Sequence, residues 1–251
     1  MAPSRPLGKR GCPDIVDGRI PRLLEPFGSE MWLASGPTLS VAGFRYPTRM
    51  AIIRLNEDKL FVWSPVALSD DLREAVDGLG DVAWLVAPNT LHDRFLAEWR
   101  QAYPYAELFA PSDLIKARMD LHFSGNLSSG GTHPWSDGIV HAVIEGNWIA
   151  TEAVFFHIRS RTILFTDMIQ QFNPHWFTGW RSLITMLDGM VGTEPRVPRK
   201  FRYAFFSRRR ARAALRTILA WPADRLVMAH GLPLRQDAQA AVRQAFRWLV
   251  S

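Results

Sequence analysis

Three segments of the sequence carry metal-binding or proton-transferring side chains directly after a short apolar run. The first contains Asn89, His92 and Asp93, the second contains Asp167, and the third contains His230. Imidazole and carboxylate groups bind divalent cations and transfer protons. Loops at the ends of strands converge on a rigid sheet, and such positions commonly form sites. We therefore expect these five residues to lie near one another.

The apolar runs that precede these residues predict short buried strands. Residues 82–87, 162–166 and 226–229 are largely apolar and are bounded by turn residues. Two further runs, at residues 50–55 and 60–63, flank a polar turn and predict a β-hairpin. Each candidate residue is therefore predicted to follow the end of a strand.

A second predicted hairpin, residues 153–166, adds Glu152 to the candidate site residues and excludes His157 from them. If His157 pairs with Thr162 across the turn, Glu152 lies opposite Asp167. The Cβ atoms of these two acids are then about 5 Å apart, whereas His157 lies about 17 Å from that end of the hairpin. We therefore expect Glu152 to belong to the site and His157 to be dispensable for it.

Helices are predicted between and after these strands, from capping residues and apolar periodicity. The predicted helices are residues 72–79, 91–102, one that opens at Pro111, 173–190, 208–220 and 236–249. Strands that come in hairpins do not suit the strict strand–helix alternation of a doubly wound parallel sheet. The pattern indicates an α+β fold in which helices cover the outer faces of mixed sheets.

Composition excludes several classes of protein. The 251 residues are 47% hydrophobic and 22% charged, as in soluble globular domains. The apolar runs are far shorter than the roughly 20 residues that span a membrane. One cysteine, Cys12, excludes an intrachain disulfide and a cysteine-based zinc site. The net charge of +6 is modest, and we do not expect nucleic acid to be a partner.

The first 27 residues differ from the rest of the chain. They contain five prolines, show no sustained periodicity, and lack the apolar segment of a secretory signal. We expect residues 1–27 to be a mobile arm, residues 28–251 to be one domain, and the protein to be cytoplasmic.

The order of these features resembles the metallo-β-lactamase fold, which implies a four-layer αβ/βα sandwich. In that fold an H-x-H-x-D-H cluster, a bridging Asp and a final His bind metal. More closely, the chain resembles a bacterial family, the domain of unknown function numbered 4336. The resemblance covers about residues 30–170 well and extends more weakly to His230. The stretches of this chain that resemble the family are Tyr-Pro-Thr-Arg-Met at 46–50, Trp-Ser-Pro-Val-Ala-Leu at 63–68, Ala-Pro-Asn at 87–89, His92, Glu152 with Phe-Phe-His at 155–157, and Ser-Arg-Thr at 160–162 with Asp167.

The chain departs from the resembled cluster at its metal ligands. Aligning Asp93 with the Asp of the cluster puts Asn89, Leu91 and Arg94 where the three histidines stand. Leucine cannot bind a metal and arginine repels one, so we expect neither the usual dinuclear zinc site nor hydrolysis of β-lactams. The set left to hold one divalent ion (Zn, Fe or Mn) is His92, Asp93, Glu152, Asp167 and His230, with Asn89 nearby.

Two interpretations of this set are open. The sequence favours a non-catalytic or divergent relative that binds a small ligand in the ancestral cleft. In that case Arg49 neutralises Glu152 and Asp167 in place of a metal. The alternative is a hydrolase with a mononuclear metal site on His92, Glu152, Asp167 and His230. The two interpretations differ in whether Arg49 enters the carboxylate cluster.

Two other features have structural and functional interpretations. Trp176 and Trp180 are predicted one helical turn apart, as part of a core-facing helix, a lid over the pocket, or a homodimer contact. The basic run from Arg199 to Arg212 predicts an amphipathic helix with a solvated face. Its alternative is a surface for nucleic acid or anionic lipid.

Overall fold

Two β-sheets face each other in the computed structural model, which describes residues 23–250. The seven-stranded sheet contains β1 (Glu25–Gly28), β2 (Met31–Val41), β3 (Phe44–Arg54), β4 (Lys59–Trp63), β5 (Asp81–Val86), β6 (Glu107–Ala110) and β7 (Gly125–Asn126). The four-stranded sheet contains β8 (Ile139–Ile144), β9 (Glu152–His157), β10 (Thr162–Phe165) and β11 (Arg225–Met228). Both sheets are mixed, which confirms the predicted α+β class.

Helices connect the strands and cover the sheets. In the part of the chain that the structure describes, they are α1 (Asp70–Asp77), α2 (Leu96–Ala102), α3 (Ser112–Ala117), α4 (Trp180–Asp188), α5 (Arg199–Tyr203), α6 (Arg208–Ala220), α7 (Ala238–Ala245) and α8 (Arg247–Val250). The side chain of Ser69 caps α1 by accepting the backbone N–H of Leu72 at 3.2 Å.

Strand direction follows from these connections. Tight turns connect β1, β2, β3 and β4 in sequence, and each of these strands pairs antiparallel with the next. Helices connect β4, β5, β6 and β7 in sequence, and each of these strands pairs parallel with the next. In the second sheet β8, β9 and β10 are antiparallel, while β11 returns through α4, α5 and α6 to lie parallel to β10. The ends of β5, β10 and β11 each lead into a loop that carries candidate site residues.

Apolar side chains form three successive layers of core. The middle layer joins the two sheets and includes Phe61 and Trp63 from the first and Phe155 and Leu164 from the second. A second core packs the outer face of the seven-stranded sheet against α1, α2 and α3. A third packs the outer face of the four-stranded sheet against α5, α6, α7 and α8. The result is the predicted helix–sheet–sheet–helix sandwich.

The predicted register of the second hairpin is confirmed. His157 pairs with Thr162, and Phe155 pairs with Leu164. The imidazole of His157 is buried, and its Nδ1 lies 2.8 Å from Ser160 Oγ at the turn. His157 is therefore held at the opposite end of the hairpin from Glu152.

Buried His157 makes stability depend on pH. Burial, with a contribution from Arg159, lowers the pKa of His157 to about 4, against about 6.5 in an unfolded chain. Between these values the unfolded chain binds a proton that the native protein does not, so stability falls as the pH is lowered from about 6.5 to about 4. We expect this loss to reach roughly 2–3 kcal/mol. Denaturant titrations at several pH values measure the free energy of unfolding of wild type, of His157→Gln and of the exposed control His175→Gln. We expect this free energy to depend less on pH, between about pH 4 and 6.5, in His157→Gln than in His175→Gln. The same pH dependence in both variants would contradict the role given to His157.

Two predicted helices begin later than expected. The helix predicted from residue 91 begins at Leu96, because Asn89 Oδ1 accepts the N–H of Leu91 at 2.9 Å and holds a turn there. The helix predicted from residue 173 begins at Trp180, after Gly179, whose φ is 62°. Trp176 therefore does not share a helical face with Trp180, and its indole N–H donates to a backbone carbonyl of β3.

The ends of the chain add two corrections. Residues 1–22 of the predicted arm lie outside the described residues, but β1 already pairs with β2 from Glu25, so the sheet begins before residue 28. The predicted closing helix is two helices, α7 and α8, separated at Phe246. Within residues 23–250, every helix is too short or too polar to cross a bilayer.

Candidate metal centre

Three of the predicted site residues meet where strands of both sheets end. His92 follows β5, Asp167 follows β10, and His230 follows β11. Asp167 Oδ2 lies 3.2 Å from His92 Nε2, and Asp167 Oδ1 lies 3.2 Å from His230 Nε2. One ligand atom from each residue lies within 4.8 Å of the others, and the three side chains are only 6–7% exposed.

The carboxylate of Asp167 is fixed from three sides. Besides the two imidazoles, the amide of Asn89 donates to Asp167 Oδ2 at 2.8 Å and to Thr166 Oγ1 at 2.9 Å. Burial raises the pKa of a carboxyl group, but His92 and His230 outweigh burial and hold the pKa of Asp167 well below its ordinary value. Asp167 is therefore an anion directed at the centre of the cluster.

Both imidazoles are oriented through their second nitrogen. His92 Nδ1 lies 2.8 Å from Ser64 Oγ, and His230 Nδ1 lies 2.8 Å from the carbonyl oxygen of Pro47. A carbonyl only accepts hydrogen bonds, so His230 carries a proton on Nδ1. This outer hydrogen bond is typical of metal-binding histidines, because it fixes the ring with Nε2 facing the metal.

The tautomer of His230 determines what must lie between it and Asp167. With Nδ1 protonated, a neutral ring has a lone pair on Nε2, which faces a carboxylate oxygen 3.2 Å away. Two lone pairs at that distance repel each other, so the contact needs a positive charge. Either a second proton on His230 or a metal cation supplies it.

The donor atoms fit a metal ion. Zinc binds His nitrogen and carboxylate oxygen at about 2.0–2.2 Å, which places neighbouring ligand atoms of a tetrahedron about 3.3 Å apart. Each oxygen of Asp167 makes its own 3.2 Å contact with one histidine nitrogen, so each contact taken singly matches one such edge, and one donor atom from each of the three residues lies within 4.8 Å of the others. Two imidazoles and one carboxylate also suit Fe(II), and they leave coordination positions open.

Glu152 lies next to this cluster but is not one of its donors. Its two carboxylate oxygens accept the backbone N–H groups of Thr166, Asp167 and Met168 at 2.6, 3.0 and 2.7 Å. Burial and the neighbouring Asp167 raise the pKa of Glu152 to about 7, against the lowering effect of these three bonds. The side chain holds the loop after β10 in the conformation that presents Asp167.

Asp93 also lies outside the cluster. Its carboxylate pairs with Arg118 at 2.9 Å, because the turn after Asn89 directs His92, rather than Asp93, toward Asp167. Arg94 lines the cavity described below. The structure therefore brings together His92, Asp167 and His230, with Asn89 as a hydrogen-bond donor, and leaves Asp93 and Glu152 in other roles.

Arg49 does not neutralise the carboxylates as the sequence suggested. Within residues 23–250 it forms no ion pair with Glu152 or Asp167, and its guanidinium donates to the carbonyl oxygens of Met228 and Gly231. These two residues flank the turn that carries His230. Arg49 thus ties the His230 loop to β3, the strand whose Pro47 carbonyl orients the His230 ring.

We expect Arg49→Met to lower the free energy of unfolding by about 2–4 kcal/mol, because it leaves two carbonyl groups without a charged donor. It should also weaken metal binding through the loosened His230 loop. Arg45→Met, an exposed arginine of the same strand, is the matched control and should cost less than about 0.5 kcal/mol. Urea unfolding of the three proteins tests this, and equal midpoints for Arg49→Met and wild type would contradict it.

A cavity of about 770 Å³ lies beside the cluster, and the three donor residues form part of its wall. Most of the remaining wall is apolar, including Phe44, Phe95, Met190 and Phe201, while Lys200 supplies a cation. Lys200 Nζ lies 3.2 Å from Tyr46 Oη, and the Tyr46 ring packs against His230. The cavity can therefore hold an apolar molecule with one polar group directed at the cluster.

Sequence reasoning missed the residues that orient the histidines. Ser64 follows β4 with a positive φ of 52°, and its neighbour Pro65 marks a strand end, which was the available signal. The Pro47 carbonyl and the Tyr46–Lys200 contact left no signal, because backbone acceptors and contacts distant in sequence are set only by the fold.

Comparisons with known proteins agree with this architecture. A family model described as a domain of unknown function, DUF4336, matches residues 38–178. No curated protein sequence matches the chain. The metallo-β-lactamase FIM-1 from Pseudomonas aeruginosa in its mono-zinc form has a TM-score of 0.59 at 12% identity, over 92% of this chain and 98% of that one. A metallo-β-lactamase from Hirschia baltica has a TM-score of 0.59 at 12% identity, over 88% and 96%.

A second kind of structure shares the fold. The metal-soaked Flv1 flavodiiron core from Synechocystis sp. PCC6803 has a TM-score of 0.56 at 14% identity, over 90% of this chain and 60% of that one. At these identities the similarity shows the fold alone.

Proposed function

Because the chain belongs to the DUF4336 family and has the metallo-β-lactamase fold, we propose a function from the site that this fold assembles. The protein is a metal-dependent hydrolase of small molecules with an apolar part. His92, Asp167 and His230 hold one divalent ion, either zinc or iron. The observation that carries the proposal is the arrangement of His230, whose Nδ1 donates to a carbonyl while Nε2 faces an anionic oxygen.

The residues around the donors have distinct tasks in this proposal. Ser64 and the Pro47 carbonyl orient the two rings, Asn89 restrains Asp167, and Glu152 fixes the loop that carries it. A divalent cation in such a site acts as a Lewis acid on a substrate oxygen and lowers the pKa of water that it binds. The apolar cavity binds the rest of the substrate and excludes bulk water from it.

Binding of a small ligand without a metal is the second candidate function. The observation that favours it is the contact of Asp167 with both histidines, since a doubly protonated ring could supply the required positive charge. In that case the cavity keeps its ligand-binding role, and the cluster only stabilises its wall.

The metal content of the protein distinguishes the metal-dependent hydrolase from the metal-free binding protein. Untagged protein is reconstituted with zinc or ferrous iron and dialysed, and its metal content is measured by inductively coupled plasma mass spectrometry. We expect it to retain about one ion per chain. We expect a chelator to lower its melting temperature, because a ligand at a thousandfold its Kd stabilises by about 4 kcal/mol. Hydrolysis of p-nitrophenyl esters of increasing chain length, with and without metal, then tests the reaction. No retained ion after reconstitution supports the metal-free function instead.

A further inference from the structure

Helix α4 turns its apolar stripe to solvent. Trp180, Leu183, Ile184 and Leu187 follow the i, i+3, i+4, i+7 spacing of one helical face, and they are 58%, 54%, 44% and 57% exposed. The buried side chain of the helix is the polar Thr185. A surface helix normally buries its apolar stripe in the core, so this orientation is the reverse of the usual one.

The exposed stripe continues into the mouth of the cavity beside the metal centre. Six apolar residues both line the cavity and are exposed to solvent. They are Val41, Leu91, Ile149, Ile184, Leu187 and Tyr203. Trp148 and Phe206, whose rings are 4.8 Å apart, adjoin Ile149 and extend the exposed area. Contiguous exposed apolar surface of this kind marks an interaction site.

Cations accompany this apolar surface. Arg94, Arg199 and Lys200 line the cavity. Arg181 lies on α4 itself, with its guanidinium 4.7 Å from the centroid of the Trp180 ring. Asp188, the acidic residue of α4, also lines the cavity and is paired with Lys200 at 3.6 Å. The face around the cavity mouth therefore combines apolar side chains, tryptophans and net positive charge.

We propose that this face, formed by the α4 stripe and the apolar rim of the cavity, binds the surface of a phospholipid bilayer that contains anionic lipids. An amphipathic helix with apolar residues on one side and basic residues beside it lies in the interface, where apolar area and attraction to anionic headgroups both contribute. Tryptophan is favoured at this depth because its ring is apolar and its N–H is polar. The cavity mouth then faces the lipid.

Charge argues against a second copy of the chain as the occupant. A two-fold dimer brings the same patch of each subunit together, so the cations of the α4 and cavity-mouth face, which include Arg181, Arg94 and Arg199, would meet the same cations of the second copy. Anionic headgroups neutralise these cations instead. Binding to lipid does not depend on the metal, so this inference stands or falls separately from the proposed hydrolase.

Vesicle co-sedimentation of the 251-residue chain tests the inference. The probes are vesicles of phosphatidylcholine alone and vesicles with about 30% phosphatidylglycerol, at low and high salt. We expect binding to the anionic vesicles, weakened by salt and by removal of the anionic lipid. The double variant Leu183→Glu, Leu187→Glu should bind at least tenfold more weakly. The control is Met119→Glu, at an apolar residue that is 90% exposed and does not line the cavity, and it should change binding less than twofold.

The remaining outcomes are also informative. If the double variant does not fold, as judged by circular dichroism, Leu183→Ser with Leu187→Ser replaces it and should show the same direction of change. Asp167→Asn should bind vesicles as well as wild type does. Absence of binding to anionic vesicles overturns the proposal. A wild-type dimer in light scattering that dissociates in the double variant overturns it in favour of a second copy.

Discussion

Replacing Glu152 with alanine is expected to lower the free energy of unfolding by about 3–5 kcal/mol. The carboxylate accepts three backbone N–H groups at the end of β10, and it is fully buried. Its removal leaves these donors without an acceptor in a region that water does not reach, and each unsatisfied buried group costs roughly 1–3 kcal/mol. Chemical denaturation of wild type and Glu152→Ala measures the difference.

Glu152→Gln provides the matched comparison. Glutamine has the same shape, but it keeps only one acceptor oxygen and turns an amide N–H toward a backbone N–H. The free energy of unfolding of Glu152→Gln should therefore lie between that of wild type and that of Glu152→Ala. Glu152 would be a metal ligand, as the sequence suggested, if the glutamine variant kept full stability without metal and lost metal binding. We expect instead that Glu152→Gln lowers the free energy of unfolding. The amount of bound metal should then fall only in proportion to the fraction of protein that is folded.

Asp167→Asn is expected to weaken metal binding at least about a hundredfold, beyond the 10–100-fold typical of losing a partner that only orients a ligand. Asp167 is the single anion among the three donors, and each of its oxygens faces one histidine. Asparagine keeps the shape but removes the charge, and its amide nitrogen then faces one of the imidazoles. Competition titration with a chromogenic chelator measures the zinc affinity of each protein.

Asp93→Asn is the matched control for this experiment. Asp93 lies one residue from His92 and aligns with a ligand of the resembled motif, but its carboxylate pairs with Arg118. We expect its zinc affinity to stay within about twofold of wild type. Similar losses in the two variants would show that the loop after β5 binds metal in a different conformation from the one in the structure.

The fold was largely predictable from the sequence, because most of its elements carry local signals. The strands are short apolar runs between turn residues, and the register of the β9–β10 hairpin followed from the length of its turn. The basic helix α6 was predicted with both ends correct. Besides the corrections at the two ends of the chain, the errors in helix boundaries lie at the loops after β5 and β10. There, Asn89 Oδ1 accepts the backbone N–H of Leu91 and Gly179 has a positive φ, so α2 and α4 begin later than apolar periodicity alone predicts.

The candidate site was predicted in part. Strand ends and residue types nominated His92, Asp167 and His230, and these three meet in the structure. The same signals nominated Asp93 and Glu152, since a carboxylate near a strand end looks alike whether it binds a metal, an arginine or backbone N–H groups. Arg49 shows the same limit, because a buried guanidinium pairs equally well with carboxylates or with carbonyl oxygens.

The sequence by itself determined the class of the fold, the ends of the strands that carry ligand-type residues, and the absence of a cysteine-based metal site. Those properties depend on residue type and on neighbours close along the chain. Only the tertiary structure decided which donors converge, which nitrogen of His230 faces Asp167, and that the apolar stripe of α4 points to solvent. These depend on contacts between segments more than 60 residues apart, such as Pro47 with His230, where a shift of one residue or a change of rotamer redirects a side chain without altering any local pattern.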